Sequence, residues 1–211
     1  MQSSAMAVAT EIDEGLAAHV NPCYKFILFV GPSGVGKTSF VEALRQRDNR
    51  FRSLLSVTTR KPRDTDLEGE YQYVTLEQFE EWEAQDDFQW KVPKGQNGCR
   101  YGTLKCSVVE AKLAQFPTVF HLEPDTVPDL LKAVGVEVVC MIFLTAGSDQ
   151  VKGRLRRRDD GMPEAHFEQR EKTLVWEDDA RKSGLPYRFV ANPNGGLAEA
   201  VTQVVQIITE P

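Results

Sequence analysis

The sequence predicts an α/β protein: a three-layer P-loop fold on a parallel sheet core, with one inserted lobe and a short lid. Three observations predict it. Short apolar runs alternate with stretches of helical periodicity, as in a parallel sheet covered by helices on both faces. The pattern GPSGVGKT, residues 31–38, stands directly after the apolar run at 25–30 (KFILFV) and directly before a helix-like stretch at 39–47. Residues 53–104 are polar, aromatic and irregular, unlike what surrounds them.

Taken in order, residues 25–30 read as the first strand, and strand, glycine loop and helix together make a phosphate site. The glycines let successive backbone N–H groups converge on an anion, and the following helix adds its positive N-terminal end. Gly31, Ser33, Gly34, Val35, Gly36, Lys37, Thr38 and Ser39 are therefore candidate phosphate ligands. Lys37 reaches the β and γ phosphates in such a loop, and Thr38 holds Mg²⁺. Across 53–104, turn residues Glu68-Gly69 and basic Lys61-Pro62-Arg63 predict short antiparallel strands with one helix at about 76–85. Further strands are expected at 118–122, 136–144 and 187–191, and helices at 106–115, 127–134, 149–157, 164–182 and 197–208. The charged run RRRDDGMP at 156–163 interrupts the helical pattern with breakers, as a lid would. Residues 1–22 read as a tail and 23–211 as one domain, its inserted lobe at about 53–104 and its lid at about 154–170.

Composition narrows the class of protein. With 211 residues, 41% apolar and 27% charged, the chain matches a soluble globular domain, and no apolar run approaches the ~18 residues of a membrane helix. The first 20 residues carry no Lys or Arg, which argues against targeting signals and for a cytoplasmic protein. Four cysteines without CxxC spacing predict reduced thiols and neither a disulfide framework nor a cysteine metal site. A net charge of −6 lacks the excess cation that a broad nucleic-acid surface needs. Attraction for phosphate must then be local.

One place supplies it. SVTTRKPR, residues 56–63, sets hydroxyls and three cations side by side, and Tyr71 and Tyr73 follow after a turn. Arginine forks and tyrosine hydroxyls suit the oxygens of a phosphomonoester. Together, GPSGVGKTS, SVTTRKPR, YQYVTLEQF, the turn Tyr101-Gly102-Thr103 and the later RLRRR, all in order, resemble the guanylate kinase family. That resemblance implies a phosphoryl transfer from ATP, with Mg²⁺, to a nucleoside monophosphate, GMP first, by lobes that close on two nucleotides. It also implies site roles. Arg60, Arg63, Tyr71 and Tyr101 would hold the acceptor phosphate, while Ser56 and Thr103 approach its base. Arg154, Arg158 and Arg170 would be lid-side arginines that neutralise the transferring group, and Asn192 would lie near the adenine.

The chain departs from the family pattern twice. Where the family has F-x-E, whose carboxylate accepts from the guanine edge, this chain has Phe88-Gln89-Trp90, and an indole donates but cannot accept. Where the family shows D-x-D, this chain shows His121-Leu122-Glu123. Glu123 retains a carboxylate at a strand's C-terminal end, where ligands sit in open α/β sheets, and can order Mg²⁺ through water. His121 reads as a hydrogen-bonded strand-end residue, because an acceptor phosphate needs no strong base. Two alternatives stay open beside GMP phosphorylation. One is a kinase of this architecture for another phosphorylated acceptor, a different nucleotide or a sugar phosphate. The other is a non-catalytic interaction module, against which an intact Lys37 and Thr38 weigh. The sequence leaves oligomeric state open.

Overall fold

Strand β1 (Phe26–Val30) alternates its side chains between two apolar layers. In the computed structural model, which describes residues 15–63, 66–92, 98–158 and 164–211, Ile27 and Phe29 enter one cluster while Phe26, Leu28 and Val30 enter another. Strand β7 (Val139–Thr145) does the same, with Cys140, Ile142 and Leu144 on the first face and Val139, Met141 and Phe143 on the second. Side chains alternate between the two faces of a strand, so a strand covered on both faces reads as a continuous apolar run. The first face is covered by α1 (Lys37–Arg47) through Phe40, Val41 and Leu44, and by α8 (Leu197–Thr209) through Ala200, Val201, Val204 and Ile208. The second is covered by α3 (Lys105–Leu113), α4 (Val127–Val134) and α7 (Trp176–Lys182).

The central sheet is fully parallel, in the order β6 (Thr118–His121), β1, β7, β8 (Arg188–Ala191). A second sheet holds β2 (Ser56–Thr58), β3 (Tyr71–Tyr73), β4 (Phe88–Val92) and β5 (Tyr101–Leu104), ordered β3-β2-β5-β4. One face of it packs Val57, Phe88 and Leu104 against Phe79 and Trp82 of α2 (Leu76–Ala84), whose Thr75 caps the helix by accepting from the Gln78 N–H at 3.2 Å. Two further helices follow β7, α5 (Ser148–Arg158), which buries Val151 and Leu155, and α6 (Glu164–Glu171).

Several sequence expectations change here. β2 pairs with β3 in parallel, so the second sheet is mixed rather than antiparallel. Residues 136–138 wind as a 3₁₀ turn after Gly135 (φ 90°), which delays β7 to Val139. The single helix expected at 164–182 divides, because Lys172–Val175, with β-branched Thr173 and Val175, tightens to 3₁₀ geometry between α6 and α7. Part of the expected tail is packed. Ala17 and Val20 are buried, and the Ala17 N–H donates to Asp48 Oδ2 at 2.8 Å. Residues 159–163 of the expected lid lie outside the described residues. All four cysteines are free thiols, and burial pushes that of Cys140 up to about 12. Among the described residues no helix is long and apolar enough to cross a membrane.

Candidate functional site

A cleft of roughly 1040 Å³ runs between the C-terminal edge of the parallel sheet and the open face of the second sheet. One end is the glycine loop. Ser33, Gly34, Gly36, Lys37, Thr38 and Ser39 line it, whereas Gly31 and Val35 are buried behind the wall. Gly36 has φ 107°, and a Cβ there would meet Asn192 Nδ2 at 2.7 Å. A side chain there would be strained by the positive φ and would displace the amide that Asn192 holds against the loop. Lys37 begins α1, and its Nζ donates to the carbonyls of Gly31 at 2.7 Å and Pro32 at 3.1 Å, folding the ammonium over the loop.

The apex of the loop is tied from outside. Val35 O accepts from Asn192 Nδ2 at 2.7 Å and from Arg154 Nη1 at 3.2 Å. Arg154 also donates from Nη2 to Asn192 O at 2.8 Å and from Nε to Asn194 Oδ1 at 3.0 Å. Asn192, expected beside a base, is buried and faces the loop backbone. Arg154, expected to meet a phosphoryl group, lines the cleft but spends these donors on holding α5, the loop and the segment after β8 together. Thr173 adds a tie, its Oγ1 accepting from the Ser33 N–H at 2.9 Å. The side chains of Arg158 and Arg170 lie outside the described residues.

The other end of the cleft gathers the rest of the expected site. Ser56, Arg60, Arg63, Tyr71, Trp90, Tyr101, Thr103 and Glu123 all line it. Arg60 is 8% exposed and makes a two-pronged bond to Asp66, 2.6 Å on each side, with its guanidinium carbon 4.6 Å from the centre of the Tyr71 ring and 5.6 Å from that of Tyr73. Asp66 is also met by the Tyr73 hydroxyl at 2.6 Å and the Arg63 N–H at 2.7 Å. Burial alone would raise the Asp66 carboxyl, but the bonds from Arg60, Tyr73 and Arg63 outweigh it and bring it down to about 2. Burial drives the Tyr71 phenol far above its ordinary value, so Tyr71 remains a neutral donor.

Ser56 Oγ and Thr103 Oγ1 lie 3.3 Å apart across the floor. Trp90 stands opposite Thr103, 4% exposed, on the same face. A register shift makes this possible: Phe88 pairs with Leu104 and Trp90 with Thr103, so residues two apart on β4 face opposite sides, with Gln89 at the irregularity. His121, at the end of β6, is bonded through Nε2 to Glu70 Oε1 at 3.0 Å. Burial raises the Glu70 carboxyl, while His121 and the Leu67 N–H pull it, in balance, below its ordinary value.

Asp66, Glu70, Thr173 and Trp176 also line the cleft and were not singled out by sequence. Only Asp66 carried a usable signal, since an arginine buried beside tyrosines requires a carboxylate nearby. Among the described residues no group of three His, Cys, Asp or Glu side chains could hold a metal ion. The Thr38 hydroxyl, which lines the cleft at the start of α1, is of the oxygen type that magnesium takes, an ion that keeps several waters and needs few protein ligands.

A parallel sheet whose first strand opens through a glycine loop into a helix, with a cationic second lobe across a cleft, defines a P-loop protein built to hold phosphates. The guanylate kinase family model matches residues 24–210, and the chain belongs to that family. It is 31% identical over 193 residues to a guanylate kinase of Gloeobacter violaceus, covering 90% of this chain and 89% of that one. It is 33% identical over 135 residues to a guanylate kinase of Anaeromyxobacter dehalogenans, covering 63% and 58% of the two chains. The fold is similar to that of a crystal structure of guanylate kinase from Anaplasma phagocytophilum, with a TM-score of 0.61 at 16% identity over 90% of this chain and 86% of that one.

Proposed function

We propose that the chain transfers the γ phosphoryl group of ATP to a nucleoside monophosphate, GMP before others, forming ADP and GDP. One observation carries the reading: a single cleft has Lys37 and Thr38 at one end and Arg60, Arg63, Tyr71 and Tyr101 at the other. That arrangement supports the reading, because phosphoryl transfer needs alignment and charge stabilisation more than covalent work by the protein. Gly31 to Ser39 cradle the donor phosphates, with Asn192 holding the loop on the adenine side. Thr38, with Glu123 through water, would hold Mg²⁺, which would supply neutralisation of the donor charge. Arg63, Tyr71 and Tyr101 bind the acceptor phosphate, with Arg60 set by Asp66. Ser56 and Thr103 meet the base. Arg154 fixes the loop, and Arg158 and Arg170 neutralise the transferring group. Residues 53–104 serve as the acceptor lobe and 154–170 as the lid, closing out water that would compete as acceptor. Its substrates are free nucleotides, and we expect it to work in the cytoplasm.

A second reading, transfer to another phosphorylated acceptor such as a sugar phosphate, is favoured by Trp90, whose indole occupies the floor opposite Thr103 and offers no acceptor to a guanine edge. A coupled ADP-release assay with ATP and Mg²⁺ against GMP, AMP and sugar phosphates separates the two. Turnover with GMP supports the first, and turnover with sugar phosphates alone replaces it. Lys37→Ala is expected to abolish turnover while the melting temperature stays near that of the parent. Near-normal turnover in that variant contradicts the loop's role.

A further inference from the structure

The lysines and arginines that line the cleft differ in what their charged groups already do. Lys37 gives its ammonium to the Gly31 and Pro32 carbonyls, Arg60 its fork to Asp66, and Arg154 its donors to Val35, Asn192 and Asn194. Two remain whose charged groups make no hydrogen bond or ion pair among the described residues. They are Arg63, at the acceptor end, and Lys172, an exposed residue that opens the 3₁₀ stretch before α7. Lys172 is held through both of its neighbours. Glu171 Oε2 lies 3.2 Å from Lys152 Nζ on α5, and Thr173 Oγ1 accepts at 2.9 Å from the N–H of Ser33 in the glycine loop. The first tie is a half-exposed ion pair and holds little, so the bond to Ser33 sets where the segment lies. Glu171, the carboxylate nearest to Lys172 in the chain, is already matched by Lys152.

We propose that Lys172 binds the donor phosphates of ATP, and that Thr173 is the positioning residue that pins its segment to the glycine loop. This rests on the loop holding a nucleoside triphosphate, as proposed above. Lys172 belongs to the donor end because the residue beside it is bonded to Ser33, three positions before Gly36 and four before Lys37. Arg63 belongs to the other end, where its N–H meets Asp66 in the wall that holds Arg60. A triphosphate carries more negative charge than Lys37 balances, and Arg154 turns its guanidinium to the loop backbone instead. An ammonium on a four-carbon stem is a compact charge with three rotatable donors, so it meets phosphate oxygens without the fixed plane that a guanidinium demands. Thr173 brings no charge. Its hydroxyl fixes the distance from which that stem must reach.

Calorimetric titration of the full chain with ATP, without any acceptor, is the readout. Lys172→Gln is expected to lower ATP affinity roughly ten- to hundredfold, the loss of a charge-assisted bond to phosphate, while the melting temperature of the free chain stays near that of the parent. Lys172→Arg keeps the charge and is expected to bind ATP within about threefold of the parent, since either cation serves a phosphate that needs no fixed geometry. Thr173→Val removes the hydroxyl at nearly constant shape and is expected to weaken ATP by a smaller factor, which Thr173→Ser restores. Unchanged ATP affinity in Lys172→Gln overturns the assignment. So does a loss that Lys172→Arg shares, or one that comes with a lower melting temperature, because either marks a structural role. The outcomes also separate this lysine from the proposed reaction. Normal GMP turnover and normal ATP affinity in Lys172→Gln reject the lysine and leave the reaction intact. A parent that binds ATP but never turns over GMP, with ATP binding lost in Lys172→Gln and kept in Lys172→Arg, rejects GMP as acceptor and leaves the lysine standing. A parent that binds no ATP rejects both.

Discussion

Asp66 organises the acceptor end at the scale of single residues. It takes both prongs of Arg60, the Tyr73 hydroxyl and the Arg63 N–H, so the position of the cationic wall depends on one ionised carboxylate. Because its folded-state pKa of about 2 lies below the ordinary carboxylate value, its stabilisation is complete above about pH 4 and is lost as pH falls toward 2. Asp48, held by Arg50 and the Ala17 N–H, is also depressed and adds in the same acid direction. Unfolding midpoints measured in urea from pH 5 to 2 should therefore fall most steeply below pH 4, and Asp66→Asn should flatten that slope. Trp90 makes a different prediction. With an indole at the floor, GMP should be preferred over AMP by roughly tens of fold, against the ~10⁴ available to a site that pairs a substrate's polar edge, and the ratio of kcat/KM values checks it. Arg60, Arg63, Tyr71 and Tyr101 were legible because the motifs SVTTRKPR, YQYV and YGT resemble the family's in order, although the last, expected as a turn, forms strand β5. His121 was expected as a hydrogen-bonded strand-end residue and is one, but its partner Glu70 was not legible, because 51 residues separate them and nothing local links a glutamate in a turn to a histidine at a strand end.

Among elements, the loop after β1 is held by parts distant in the chain. Arg154 of α5 and Asn192 after β8 converge on the Val35 carbonyl, so the loop's shape is set by two elements that follow it by more than a hundred residues. Arg154→Ala should raise the KM for ATP about tenfold or more, the cost of losing bonds from a charged donor, and leave the KM for the acceptor within about twofold. Equal changes in both constants would contradict a role confined to the donor loop. Strands β1, β6 and β7 could be read in advance because burial on both faces demands apolar runs, and α4 and α8 because one apolar face repeats at helical period. The second sheet was harder. β2 and β3 hold three residues each, too few for a period to show, and their parallel pairing depends on a connection whose turn chemistry does not state direction.

The whole molecule sets a doubly covered parallel sheet beneath the glycine loop and a smaller mixed sheet beneath Arg60, Tyr71 and Tyr101, with the cleft between them. Family membership and the two facing phosphate ends support one central claim, direct transfer of a phosphoryl group between two nucleotides. Its most direct test follows the label. With ATP radiolabelled at the γ phosphate, Mg²⁺ and GMP, product separation should find the label in GDP at a yield matching the ADP formed, and almost none in inorganic phosphate. Label released as inorganic phosphate, or ADP formation indifferent to GMP, would contradict the account.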